Sequence, residues 1–119
     1  MPRAKSGVKN TRSRKKLLAK AKGYYGGKGR LVKAAKETVD KALQYAYRDR
    51  KAKKREFRAL WITRISAAAH ASGLNYSRFM SGLKKADIHL DRKALASLAY
   101  HDPKAFSQIA ETVKTKLAS

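Results

Sequence analysis

From Arg30 to Ser72 the chain contains neither glycine nor proline, and good helix formers dominate. Nothing in that stretch interrupts a helix, and at ~1.5 Å per residue it would run for roughly 60 Å. Such a rod is longer than any small domain it enters, so one end has to leave the protein core. The residue pattern says which end. Leu31, Ala35, Val39, Ala42, Leu43, Ala46 and Tyr47 keep an i, i+3, i+4 rhythm along one side. The next segment, Arg48 to Glu56 (RDRKAKKRE), offers only Ala52. A helix charged all round either bridges solvent or is held by a charged partner. Six Lys or Arg against two acids leave too few i, i+4 pairs to support it from within. Phe57, Leu60, Trp61, Ile65, Ala68 and Ala69 then restore an apolar stripe, interrupted by Arg64. The stretch Lys41 to His70 is therefore expected to be one continuous helix. Its front half meets an anionic partner and its back half enters a core, locked there by Phe57, Leu60, Trp61 and Ile65. Trp61 is most simply a core anchor; an edge turned toward nucleic acid is the sharper alternative.

Beyond the rod the punctuation is regular. Gly73 supplies a helix stop of the C′ type. Asn75 is a candidate N-cap for YSRFMSGLKKA, in which Phe79, Met80, Leu83 and Ala86 share a face. Asp91 is expected to cap a helix bearing Leu95, Leu98 and Ala99. Asp102-Pro103, a cap followed by proline at the first helical position, opens a last helix carrying Phe106, Ile109, Val113 and Leu117. No alternating strand pattern occurs anywhere. The expected fold is all-α, with a long basic N-terminal arm and helix running into a small C-terminal helical bundle. A bundle of about 60 residues is small but able to fold alone.

The N-terminal end reads differently. Residues 1–16 (MPRAKSGVKNTRSRKK) hold Val8 as the only sizeable apolar side chain and cannot offset the entropy of ordering their backbone. Free in solution this segment is expected to be disordered. Laid against phosphates it can order, because each Lys or Arg displaces condensed counterions. Lys16 to Lys22 (KLLAKAK) is a short helical piece with a weak strip of Leu17, Leu18 and Ala21. It is followed by four glycines within residues 23–29, a turn where backbone can approach a ligand closely. A nucleotide-binding loop is rejected, since Gly-Lys is followed by Gly rather than Ser or Thr and no strand precedes it. Tyr24 and Tyr25, beside glycines and lysines, suit stacking on exposed bases or packing as half-buried rings; the sequence does not separate the two.

The formal net charge of the 119 residues is +22, far beyond what solubility requires, and such a field attracts polyanions, nucleic acid foremost. Residues 1–58 carry 21 Lys and Arg against 4 acids, residues 59–119 carry 9 against 4. The electrostatic boundary thus falls inside a helix, which divides the chain into a basic arm, 1–58, and a compact helical domain, 59–119. The absence of cysteine excludes disulfides and thiolate metal sites and fits a reducing cytosol. No apolar run is long enough to span a bilayer, and no apolar stretch follows the basic start as a signal peptide would need. A mitochondrial transit peptide is disfavoured because the basicity continues far past any usual cleavage point. His70, His89 and His101 lack a metal-binding spacing, and Ser66, Ser77 and Ser97 have no His and Asp in a nucleophilic arrangement. Neither an enzymatic activity nor a cofactor is expected.

At Lys54 to His70 (KREFRALWITRISAAAH) the sequence resembles the bacterial large-subunit ribosomal proteins of the L-twenty family. The likeness extends through QYAYRDR (Gln44 to Arg50), LNYSRFMSGLKKA (Leu74 to Ala86), LDRKALASLA (Leu90 to Ala99), the start PRAKSGV and the AKGYYG turn. The last helix and the Gly26-Gly27 pair match more loosely. The resemblance implies a non-catalytic, cytoplasmic constituent of the ribosome that binds 23S ribosomal RNA early in assembly of the large subunit. It also implies neighbouring large-subunit proteins as partners and, for some members, binding of their own messenger leader through the globular part. By position the arm's role falls on Arg3, Lys5, Arg12, Arg14, Lys15, Lys16, Lys20, Lys22, Arg30, Arg48, Arg50, Lys51, Lys53, Lys54, Arg55 and Arg58. In the bundle it falls on Tyr76, Ser77, Arg78, Lys84 and Lys85. The glycine turn adds Tyr24, Tyr25 and Lys28 as candidates, and the long helix adds Arg64.

Two rival readings compete on the residues. A chromosome-compacting DNA binder would share the basic tail and bundle, but not the Trp-containing and NYSRF segments. A membrane-active basic helix needs a continuous apolar face opposite its lysines, and Arg48 to Glu56 lacks one. No membrane and no small-molecule substrate is expected.

Overall fold

The computed structural model describes residues 7–119. Its elements are α1 (Val8–Lys20), a 3-10 turn (Gly26–Gly29), α2 (Val32–Ala71), α3 (Tyr76–Lys85), α4 (Arg92–His101) and α5 (Pro103–Ala118), with no strand among the described residues. The protein is all-α. It divides into two compact units, one of residues up to Lys51 and one from Ala52 to Ser119, with α2 contributing to both.

In the C-terminal unit Ile65, Ala69, Leu74, Phe79, Leu83, Leu95, Ala96, Phe106, Ala110 and Val113 form one buried cluster. The rings of Phe79 and Phe106 stack at its centre, 5.1 Å apart. α5 packs against both α3 and α4. At Gly82 the contact with α5 is tight: a Cβ there would run into Val113 Cγ1 and lie 3.2 Å from Leu117 Cδ1. The glycine lets the two helices meet.

The helix ends follow from side-chain chemistry. Asn75, Asp91 and Asp102 each accept a backbone N–H three residues on, from Arg78 (2.8 Å), Ala94 (2.7 Å) and Ala105 (3.1 Å), and Pro103 opens α5. All three expected caps form. Gly73, at φ +80°, stops α2 with paired bonds from its own N–H to His70 and from Leu74 to Ala69, and the buried Leu74 completes that motif. The same device closes α3, with Asp87 at φ +57° in the glycine role and Ile88 bonded back to Leu83. Sequence reading had no signal for that second stop.

Two expectations are corrected. Phe57 and Leu60 are 44% and 40% exposed, and Trp61 is half-buried against the rim of the cluster. The core takes in α2 from Trp61 onward, with Ile65 and Ala69 fully buried. α3 and α4 are ten residues each, about 15 Å long, and the buried cluster takes in only about the last ten residues of α2. The stripe that began at Leu31 likewise buries little: Ala35 and Val39 are covered, whereas Leu31, Leu43 and Tyr47 are more than half exposed.

The N-terminal unit has its own small cluster, Ala21, Ala35 and Val39, rimmed by Leu17, Leu18 and Tyr24. This joins the end of α1 to the beginning of α2. α1 begins at Val8, where the sequence suggested an unstructured tail up to Lys16. Helix nucleation is the costly step and propagation is cheap; once Leu17, Leu18 and Ala21 are anchored, nothing between Val8 and Lys20 breaks the helix. Arg3 and Lys5, expected in the arm, lie outside the described residues.

Candidate nucleic-acid interface

The predicted cations occupy solvent-facing positions on three elements. Arg12, Arg14, Lys15, Lys16 and Lys20 are exposed along α1, and Lys22, Lys28 and Arg30 are exposed around the glycine turn. α1 buries none of its own residues. On α2 every residue from Arg48 to Leu60 is exposed except Ala52, so Arg48, Arg50, Lys51, Lys53, Lys54, Arg55 and Arg58 all face water. Apolar stripes put side chains in a core; Arg48 to Glu56 has none, and the fold leaves it uncovered together with Phe57 and Leu60.

Few of these charges are neutralised within the protein. Among the described residues two ion pairs form: Arg48 Nε with Asp49 at 2.9 Å, and His89 with Asp87 at 2.7 Å. The hydrogen bond from Arg48 to Asp49, followed by the charge of that carboxylate, raises the Arg48 pKa and keeps the guanidinium charged. Aromatic rings hold other cations. Lys41 Nζ (5.1 Å) and Arg48 Cζ (4.5 Å) both contact the Tyr45 ring, and Lys51 donates to the Tyr47 hydroxyl at 2.9 Å. Lys53 sits 5.8 Å from the Phe57 ring. In exposed positions such contacts are worth about 0.5–1 kcal/mol. They preset side-chain directions without sequestering the charge.

The glycine turn separates its two tyrosines. Tyr25 is 96% exposed, while Tyr24 packs against the small N-terminal cluster. Gly29 is required there, since a Cβ would lie 2.7 Å from the Tyr24 carbonyl oxygen. Tyr25 is thus the ring free to stack on a base, and Tyr24 is a packer.

In the C-terminal unit Asn75 starts α3 so that Ser77 and Arg78 lie in its first turn, with Lys84 and Lys85 in its last. Ser77, Arg78, Lys84 and Lys85 are exposed. Tyr76 behaves differently from the others: it is half-buried against the core, and its hydroxyl accepts from Arg92 Nε at 2.9 Å, tying the starts of α3 and α4 together. Arg64 is exposed on α2, its guanidinium 5.0 Å from the ring of Tyr100, which is 66% exposed. The His101 ring meets Tyr100 edge-on at 4.9 Å.

Sequence reasoning missed two neighbours of the predicted residues. Tyr100, on an otherwise ordinary helix end, gave no periodic signal. Lys114 joins Arg78 and Lys85 along a groove between α3 and α5; no spacing in the sequence links residues so far apart. Each unit by itself offers exposed cations able to meet phosphates and an exposed ring, Tyr25 in one and Tyr100 in the other, able to meet a base. Phosphate contacts give affinity and position, and unpaired bases and helix shape give selectivity.

The family model for ribosomal protein L20 matches residues 3–109. The chain is similar to the large ribosomal subunit protein bL20 of Legionella pneumophila, with 59% identity over 118 residues covering 99% of each chain. It is 56% identical to the protein of that name from Geobacter metallireducens over 117 residues, 98% of this chain and 100% of the relative. The Carboxydothermus hydrogenoformans bL20 protein is likewise 56% identical over 117 residues, with the same coverage.

Proposed function

The chain belongs to the ribosomal protein L20 family, and from that premise we propose that it binds 23S ribosomal RNA directly and organises it during early assembly of the large subunit. In this reading it is a structural constituent of the cytoplasmic ribosome and takes no chemical part in protein synthesis. The observation that carries the reading is the exposed segment Arg48 to Arg58, seven cations with Asp49 as the one ion-pair partner found for them among the described residues. Residues 1–58 act as the basic arm. Their cations neutralise phosphates of RNA segments that would otherwise repel one another, releasing condensed counterions as they do so. Residues 59–119 dock as a rigid helical domain. Ser77, Arg78, Lys84 and Lys85 on α3 meet a junction by its shape, because the deep groove of double-helical RNA hides its base edges. Tyr76 serves by holding α3 on α4. Neighbouring large-subunit proteins, and the protein's own messenger leader on the docking domain, complete the proposed partners.

The test is competition at moderate salt between 23S RNA fragments and duplex DNA for the full chain. Preferential binding of an RNA fragment is expected. Equal affinity for both nucleic acids would overturn the ribosomal-RNA reading and leave a general polyanion binder.

A further inference from the structure

The groove between α3 and α5 has a chemistry that phosphate contacts alone do not use. Its volume is about 500 Å3, within the range of small-ligand pockets. Arg78, Lys85 and Lys114 line it together with Ser81, Leu74 and Leu117, and no carboxylate lines it. Arg78 and Lys85 stand two turns apart on α3 with Ser81 between them, an edge of two cations and a hydroxyl roughly 10 Å long. Lys114 comes from the facing helix, and its Nζ lies 3.8 Å from where a Cβ on Gly73 would stand, above the turn that ends α2. Between these polar edges lies an apolar floor. Leu74 is 8% exposed, and Leu117 leans on Gly82, whose missing side chain gives it room. The α5 wall lies beyond residue 109, where the match to the family model ends.

We propose that this groove receives a single unpaired nucleotide of RNA, its base against Leu74 and Leu117 and its phosphate among Arg78, Lys85 and Lys114. The inference rests on the RNA-binding reading and names what this part of the docking domain selects. A plain anion site would have no use for the leucine floor, and an apolar ligand would have no use for three cations. A nucleotide within a duplex keeps its base stacked, so the occupant has to come from a loop, bulge or end. A hydroxyl at Ser81 can both donate and accept toward a ribose or base edge.

The experiment titrates the full chain with adenosine 5′-monophosphate, cytidine 5′-monophosphate, inorganic phosphate and hexaglutamate, following the methyl resonances of Leu74 and Leu117 and the amide of Ser81. Both nucleotides are expected to shift those methyls, with phosphate binding on the order of tenfold more weakly and leaving them in place. Lys114→Gln should weaken nucleotide binding roughly tenfold, as loss of a charged hydrogen-bond partner does, whereas Lys104→Gln, the same charge change near the start of α5, should not. Equal affinity for phosphate without methyl shifts would overturn the nucleotide assignment in favour of a simple anion site. Tighter binding of hexaglutamate with displacement of the nucleotide would overturn it in favour of an acidic peptide. No saturable shift with any probe would overturn it outright. Affinity for a 23S RNA fragment, measured on the same proteins, separates the two readings. If the wild-type chain binds the fragment and Lys114→Gln binds it equally well, the groove inference fails and the ribosomal one stands. If the wild-type chain prefers no RNA over duplex DNA, the ribosomal reading itself fails.

Discussion

The two units of this protein are both built of helices but are held by different means. The C-terminal unit buries ten apolar residues in one cluster, with Phe79 and Phe106 stacked inside it. The N-terminal unit buries three, two of them alanines, and exposes Leu31, Leu43 and Tyr47. Burial of apolar area gives roughly 25 cal/mol per Å2, and ordering each residue costs about 1–2 kcal/mol of backbone entropy. By that measure the C-terminal unit has the means to hold itself together, and the N-terminal unit depends much more on what binds its charge. One chain therefore carries a domain with a core of its own and a segment with little core. That contrast is the one the proposed function uses, a domain that docks and an arm that binds charge.

The largest expected effect comes from emptying the core. Phe79→Ala should cost about 3–5 kcal/mol, enough to melt the C-terminal helices while amides near Ala35 and Val39 keep their hydrogen-exchange rates. Equal loss of protection in both units would break the contrast, since it would make them one cooperative structure. Next comes the helix contact at Gly82. Gly82→Ala gains helix propensity, yet its Cβ would collide with Val113, a stiff β-branched side chain. A net destabilisation of roughly 1–3 kcal/mol is expected, read as a lower midpoint in urea; a raised midpoint would show that α3 and α5 can separate freely.

The converse test removes charge and leaves the core alone. Replacing Arg50, Lys53 and Lys54 by Ala should leave the melt of the C-terminal unit unchanged. It should lower the log–log salt slope of RNA binding by roughly 2–3 units, close to one per lost phosphate contact. An unchanged slope would mean that these exposed cations touch no phosphate. A smaller effect sharpens the account of the helix ends: Asp91→Ala deletes the cap on Ala94 and should cost about 1 kcal/mol. The smallest is a gain. Asp87→Gly relieves a positive φ and should raise stability by up to about 1 kcal/mol, and a loss would assign the site's stability to the Asp87–His89 pair instead.

Periodicity and punctuation carried much of the fold into the sequence. An uninterrupted run of helix formers required α2, and Asn75, Asp91, Asp102-Pro103 and Gly73 marked the following ends, because caps and stops are local chemistry. The basic segment Arg48 to Glu56 was legible as exposed for the same reason: with no apolar residue beyond Ala52 to bury, no packing could cover it. Tertiary structure alone decided how far the core reaches along α2. It left Phe57 and Leu60 exposed, outside the buried cluster that takes in Ile65 and Ala69. It separated Tyr24 from Tyr25, which the sequence presents as equals, by giving one of them a cluster to pack on. It also brought Lys114 beside Arg78 and Lys85. Which residues meet across different helices depends on the angle and depth at which those helices pack. Gly82 sets that depth for α3 and α5, and nothing local to Lys114 encodes it.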